Sequence, residues 1–548
     1  MHVPHSAPET SAVGRDIRDI SPRAFAIGVA LCAALVGAFL LLRLRAWPPH
    51  EDETLALFVG RSSLGGLFHI VLGQRGGAPL HYVLAWAIAH TGGGLTELRL
   101  ASALFAVASL PALAALSARL TDRATALVAT ALASGSWVLL FHGIYGRMYS
   151  IFLFSSAVSY LTLLRALERG GRRAWALWAL TGLVLVATHP YGVLVLASQG
   201  LYVLIRRERV REAAWAFGAV VVLGIPFWRA SLVLADRFDV GVGGGGPLAG
   251  PLGVLRYLRA AAGDFSAGWT ATLWLAIALA AAGLVLLARR RDGSALLVAC
   301  ALGTPTAALI VAHLGSATSP QTRHLIFLLP FFSTLVAVPL VAAARARRAL
   351  VPAAAVAVAA LLAAEVGWAW HRTPLLFRGE PKARVAARHA ASAWLASSGR
   401  ATDVLFGYDP LYLGAWERGG PITRTVVPRA DPTLALAALR TKPEPLGRGV
   451  WVLDASDTNN VVRRATIPLR VPSPAGAFQA RVFGPFLVIR SREPTGTPLR
   501  FLQQTRSVME LGKQLDLGAA DVNLHTALVA LGRLGYSPPR SSRSTSSR

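Results

Sequence analysis

Apolar runs with at most one charged residue recur along this chain, most of them about 18 residues or longer, the length an α-helix needs to cross a hydrocarbon core about 30 Å thick. They lie at about 24–42, 99–117, 124–141, 150–167, 213–232, 268–288, 294–313, 325–343 and 349–370. With two shorter helices either side of His189-Pro190, the pattern predicts a mainly α, polytopic membrane protein of about 11–12 transmembrane helices. Composition agrees: 54% of residues are hydrophobic and 15% charged, against about 25% charged in an ordinary soluble chain. One run falls short. Residues 78–91 give about 14 residues, a length more often re-entrant or interfacial, and read as non-spanning, which requires Glu97 and Arg99 on the outer side.

The segment before residue 24 is polar and mixed in charge, so the first run reads as a retained anchor and not a cleaved leader. Cys32 and Cys300 both sit inside apolar runs; a Cys-rich metal site is excluded, and each reads as a small buried apolar residue rather than half of a disulfide. The formal charge of +27 would suit nucleic acid. Most arginines, however, lie in short loops between apolar runs or in the C-terminal part, where membrane topology accounts for them, and no nucleic-acid partner is expected.

Lys and Arg concentrate in cytoplasmic loops, and that bias orients the chain. Arg169/Arg172/Arg173, Arg206/Arg207/Arg209/Arg211, Arg289/Arg290/Arg291 and Arg345/Arg347/Arg348 are placed inside. The N-terminal tail 1–23 and the Arg119/Arg123 loop follow them. The outer loop 43–77, Arg147-Met148-Tyr149, the His189-Pro190-Tyr191-Gly192 turn, the Gly-rich segment 233–267 with Gly243–Gly246, and Gln321-Thr322-Arg323-His324 fall outside. The transmembrane domain spans 24–370, in the cytoplasmic (plasma) membrane, and its last run exits outward. Residues 371–535 are therefore expected to be extracytoplasmic. They read as a small α/β domain: an amphipathic helix at 381–397, strands at 402–407, 449–453 and 486–490, and helical stretches near 496–515 and 519–535. The Ser/Pro/Arg-rich end, 536–548, reads as a disordered basic tail. There is no Walker loop and no dinucleotide fingerprint, which disfavours soluble nucleotide cofactors.

Glu51-Asp52-Glu53 fall just beyond the first apolar run, at one membrane edge. An exposed carboxylate pair there can act as general base on an acceptor hydroxyl, with one of Asp52 and Glu53 touching the acceptor and the other binding a metal or orienting the site. The same acids suit a helix start, since they precede Leu55-Ala56-Leu57-Phe58. Position alone balances these readings. Arg147 and Tyr149 flank a membrane boundary on the same face; Arg147 offers bidentate donors to a phosphate, although snorkelling and aromatic belts are ordinary behaviour for Arg and Tyr there. His189, Arg323 and His324 share that face. Arg147, Arg323 and His324 together form a basic cluster opposite an acidic loop, suited to an anionic lipid-linked substrate. His81 and Tyr82 are placed along the same cavity. His90, His142 and His313 read as structural.

These residues form an ordered series: Asp52-Glu53, Ala78-Pro79-Leu80-His81-Tyr82, Leu98-Arg99-Leu100 through Leu104, Gly146-Arg147-Met148-Tyr149-Ser150, Thr188-His189, and later Arg323-His324-Leu325 leading to Leu329-Pro330. In order and spacing the series resembles the GT-C superfamily of polyprenyl-phosphate-sugar-dependent glycosyltransferases, the group of protein O-mannosyltransferases, lipid A aminoarabinose transferases and RgtA/B/C/D-like enzymes. The resemblance implies transfer of a sugar, with inversion, from a polyprenyl phosphate to an acceptor hydroxyl of a glycolipid, polysaccharide, lipid A or protein. It makes Asp52 the base and gives Glu53 the acceptor or a divalent cation. It also assigns the donor phosphate to Arg147, Tyr149, Arg323 and His324, and the substrate cavity to His81, Tyr82 and His189. In the aminoarabinose branch the loop matching Arg147–Tyr149 carries a second acid that helps bind metal. Here it reads Arg-Met-Tyr, so no cofactor is certain and a divalent metal cation stays open. A lipid-carrier transporter or flippase, or a non-catalytic cell-envelope assembly subunit, would also be polytopic; only a transferase explains the acid pair.

Overall fold

The computed structural model describes residues 19–235, 248, 250–314, 320–407, 409–419, 426–428, 445–454 and 477–514. The N-terminal tail before residue 19, Gly243–Gly246, the helix expected at 519–535 and the basic end at 536–548 lie outside the described residues. Within them the chain is a multi-pass helical bundle followed by a small sheet. Seven helices are long and apolar enough to cross a membrane, nine if each of two bent pairs counts as one span. The bends fall in runs that read as continuous. Arg123–Gly135 meets Trp137–Ile144 at 58°, because Ser136 is extended and its hydroxyl caps the second helix at Leu139 N–H. Val210–Leu223 meets Ile225–Ala235 at 63°; Pro226 lacks the N–H that would continue the ladder, and the Trp228 indole donates to the Val221 carbonyl at 3.0 Å. Gly171–Thr188 and Gly192–Arg206 form the short pair either side of His189-Pro190.

Inside the bundle, polar side chains bond across helices. Tyr160 and Ser198 hydroxyls lie 2.6 Å apart, while Gln199 accepts from the Trp178 indole at 3.0 Å and donates to Ser159 at 3.1 Å, the pairing that apolar surroundings favour. Backbones approach closely where Thr270–Arg290 crosses Leu329–Ala346: a Cβ on Gly283 would stand 2.0 Å from the Leu335 carbonyl oxygen. Gly283→Ala is therefore expected to pry these spans apart and lower the thermal midpoint in detergent, whereas Gly303→Ala, where a Cβ meets nothing within 4 Å, is expected to be silent.

Pro79–His90 is about 18 Å long, too short to span. It packs on Glu51–Gly60 beside Leu64–His69 and the π-helical turn Ile70–Arg75. These pieces cap one end of the bundle around Leu55, Leu57, Val71, Tyr82 and Ala85.

The sheet contains β1 (Val404–Gly407), β2 (Val426–Pro428), β3 (Gly449–Asp454), β4 (Phe478–Phe483) and β5 (Phe486–Ser491), in the order β2-β1-β3-β5-β4. β1 runs parallel to β2 and β3; β5 is antiparallel to β3 and β4. The expected strands are β1, β3 and β5. All three are buried on both faces: Trp451 and Ile489 pack toward Phe501 of helix Pro498–Gln514, and Val450 and Val488 toward Leu395 of helix Lys382–Ser398, which is why they read as unbroken apolar runs. The edge strands β2 and β4 lack that signal, β4 having mostly part-buried and exposed residues.

Candidate active site

The acids sit at the start of helix Glu51–Gly60. His50 is extended at φ −109° and ψ 146° and its Nδ1 accepts the Asp52 N–H at 3.1 Å; Glu53 reaches back to accept the His50 N–H at 3.0 Å. This reciprocal cap satisfies otherwise orphaned donors, and negative charge there suits the helix dipole. The cap sends the two neighbouring carboxylates to different surroundings.

Glu53 is fully buried. It accepts Arg99 Nε at 2.8 Å and Nη2 at 2.6 Å, and the Gly146 N–H at 2.7 Å. Arg99 spends its other donors on the Leu44, Trp47 and Pro48 carbonyls at 3.0, 2.7 and 3.1 Å. A Cβ on Gly146 would lie 3.1 Å from Glu53 Oε1 and 3.2 Å from Leu98, so a glycine lets this turn approach the acid. One buried carboxylate thus ties the Glu51–Gly60 helix to the Leu95–Leu120 helix and to the turn carrying Arg147.

Asp52 keeps 26% of its side-chain surface open. Its Oδ2 accepts the Tyr145 hydroxyl at 3.2 Å and lies 4.0 Å from Arg147 Nη2; Arg147 Nη1 donates to the Asp52 carbonyl at 3.2 Å. Burial by itself would raise the Asp52 pKa, but the charges of Arg147, then His50, Arg323 and Arg75, outweigh it and hold the carboxyl well below the usual range. Burial, with Asp52 nearby, pushes the Tyr145 phenol well up, keeping it a neutral donor.

Arg323 lies over the Tyr149 ring at 5.3 Å and Arg75 over Tyr82 at 4.9 Å. The Nε atoms of Arg147 and Arg323 are buried without a hydrogen-bond partner, as are His324 Nδ1 and both ring nitrogens of His81. Burial first, then Arg147 and Arg75, push the His81 pKa down to about 3, against the pull of Asp52; the ring is neutral at physiological pH. His189 takes the Tyr191 N–H on Nδ1 at 3.0 Å and stacks on Phe152 at 4.5 Å, with Tyr149 at 5.6 Å and His324 at 6.2 Å.

The expected residues Asp52, Arg147, Tyr149, His189, Arg323, His324, His81 and Tyr82 therefore converge at one end of the bundle, while Glu53 turns away into the Arg99 pair. His142, expected to be structural, is buried 4.7 Å from Tyr149. His90 and His313 each set Nδ1 at 2.9 Å from a carbonyl of their own helix. Sequence reasoning missed His50, Arg75 and Tyr145, and gave Arg99 no role. His50 carried a signal, standing three residues before Glu53 at the cap; Arg75 and Tyr145 carried none beyond their place in the loops.

A divalent cation bound by Asp52 and Glu53 does not fit this donor set. The Glu53 oxygens face a guanidinium and two N–H groups, and Asp52 Oδ2 lies 4.0 Å from the Arg147 guanidinium, whereas hard cations gather several oxygen ligands. Among the described residues, no group of three or more His, Cys, Asp or Glu converges.

Neither a protein-family model nor a curated protein sequence matches the chain. Solved structures do. ArnT from Cupriavidus metallidurans in the apo state is similar at a TM-score of 0.54 and 15% identity, over 85% of this chain and 98% of that one. The same protein bound to undecaprenyl phosphate gives 0.54 and 14%, over 86% and 98%. An oligosaccharyltransferase from Archaeoglobus fulgidus in the apo form gives 0.48 and 11%, over 79% and 70%. The bundle with its small C-terminal sheet is thus a GT-C-type fold, as the ordered motifs implied.

Proposed function

We propose that the chain is a membrane glycosyltransferase that moves a sugar, with inversion, from a polyprenyl-phosphate donor to an acceptor hydroxyl on the outer face of the cytoplasmic membrane. The observation that carries this reading is the partly open Asp52 carboxylate among Arg147, Arg323 and Arg75: a single base beside a cationic site built for an anion. ArnT, whose fold this chain shares, has been captured with undecaprenyl phosphate, which favours the same class of lipid carrier here.

Asp52 takes the proton of the acceptor hydroxyl as its oxygen bonds to the anomeric carbon from the face opposite the phosphate. The carbon–oxygen bond to phosphate breaks, and the polyprenyl phosphate leaves with the electron pair. Arg147 and Arg323 meet that charge, with Arg75 close by, as preorganised electrostatic stabilisation; Tyr149 and His324 frame them, and His81, Tyr82 and His189 line the cavity. Asp52 alone among cations is a weak base. A bound phosphate draws off part of that cationic field and raises its basicity, so donor binding prepares the base. Glu53 holds the Asp52 helix against the Arg147 turn through Arg99 and Gly146, and no step is routed through a metal.

Arg147→Gln is expected to raise KM for a polyprenyl-phosphate sugar about ten- to a hundredfold, the scale of a lost charge-assisted bond. Arg147→Lys should recover part of the loss, since a lysine keeps the charge without the two-pronged geometry. Steady-state transfer by purified protein in proteoliposomes measures this, and an unchanged donor KM in Arg147→Gln would remove Arg147 from the phosphate site.

A further inference from the structure

The helix Gly250–Phe265 lies in the stretch that read as a Gly-rich outer loop. Both its ends are fixed at one membrane edge. Leu248 pairs with Leu314, immediately after the span Ser294–His313, and Phe265 precedes the span Thr270–Arg290 by a short turn. A helix about 24 Å long between two points on the same edge runs along that edge. Exposed Trp269 and Trp274 follow it directly, the residue type that marks a membrane interface.

The two faces of this helix differ. Gly253, Tyr257, Ala261 and Phe265 are buried where the helix packs on Thr322–Leu328 and Trp137–Ile144, and Asp264 on that side accepts from Thr322 Oγ1 at 2.6 Å and pairs with Arg372 at 3.3 Å. Leu252, Leu255, Arg256 and Arg259 stand at i, i+3, i+4 and i+7, hence on one stripe, and all are exposed, Leu252 at 70% and Leu255 at 59%. That stripe holds no acid, because Asp264, the helix's only acid, is buried on the other side. Leucines on such a stripe enter the acyl boundary while arginines reach up to the phosphates.

We propose that the exposed Leu252/Leu255/Arg256/Arg259 stripe binds the headgroups of anionic phospholipid at the membrane edge. The helix borders the candidate site through its buried face, where Asp264 accepts from Thr322 next to Arg323, yet the lipid binding of the outward stripe holds whatever chemistry that site performs. The probe is the full-length protein with Cys32 and Cys300 replaced by Ala and Leu255→Cys carrying a fluorophore, in phosphatidylcholine vesicles. A trace of either phosphatidylglycerol or phosphatidylcholine is added, spin-labelled high on the acyl chain. Quenching by both lipids is expected, with phosphatidylglycerol enriched at low salt by up to about fivefold per arginine. The enrichment should fall with salt, and it should fall to the phosphatidylcholine level in Arg256→Gln/Arg259→Gln. Absent quenching would show that the helix is not at the interface. Equal quenching by the two lipids in the parent, or enrichment that survives the double substitution, would equally overturn the proposal.

Discussion

Asp52→Asn is expected to reduce sugar transfer by about 10²–10⁴-fold, the range set by loss of a general base, while leaving donor KM unchanged or lower. The asparagine keeps the size of the side chain and can still accept from Tyr145, which lies 3.2 Å from Oδ2, so the fold has no reason to change. It removes the anion now facing Arg147 at 4.0 Å, and the guanidinium is then freer for a phosphate. This separation of kcat from KM distinguishes a base from a residue that merely holds the donor. Full kcat in Asp52→Asn would show that the acceptor proton goes elsewhere.

Glu53→Gln is expected to act on stability first. The substitution leaves Arg99 charged, with 3% of its side chain exposed, facing a neutral amide. Removing one partner of a buried ion pair costs about 3–5 kcal/mol. The thermal midpoint should drop clearly, and transfer should fall with it because the Asp52 helix and the Arg147 turn lose their common anchor. Glu53→Gln/Arg99→Met should regain part of the stability, since no unpaired charge remains. If Glu53→Gln unfolds at the parent midpoint and loses only activity, Glu53 touches substrate, and the positioning role assigned to it is wrong.

The contrast between these acids marks what could be read in advance. Apolar length and basic loops announced a multi-pass helical bundle, because crossing a membrane leaves its demand in composition over about 18 residues. The helix breaks at Ser136 and Gly224-Ile225-Pro226 stayed hidden inside continuous apolar runs, since the bend depends on a few capping and proline atoms that hydropathy does not weigh. In the sheet, β1, β3 and β5 were legible because both faces are covered, while β2 and β4 at the edges carry no such run. At the site, the order of motifs pointed to Asp52, Arg147 and Arg323. It set Glu53 at the acceptor or a cation and not in a buried ion pair, because the partners that draw it away are long-range: Arg99 is 46 positions from Glu53 and Gly146 is 93. Arg75 was invisible for the same reason, meeting Tyr82 only once the π-helical turn and the Pro79–His90 helix pack together.

The proposed transfer of sugar from a polyprenyl phosphate by Asp52 and the arginines around it is tested by mass-spectrometric detection of glycosylated acceptor. Purified protein would be reconstituted in vesicles with a set of polyprenyl-phosphate sugars and hydroxyl acceptors. Donor-dependent product with inverted anomeric configuration is expected, formed by the parent protein and lost in Asp52→Asn. Donor lipid that crosses the bilayer unconsumed, at equal rates in parent and Asp52→Asn, would contradict the proposed transfer and make the chain a lipid transporter.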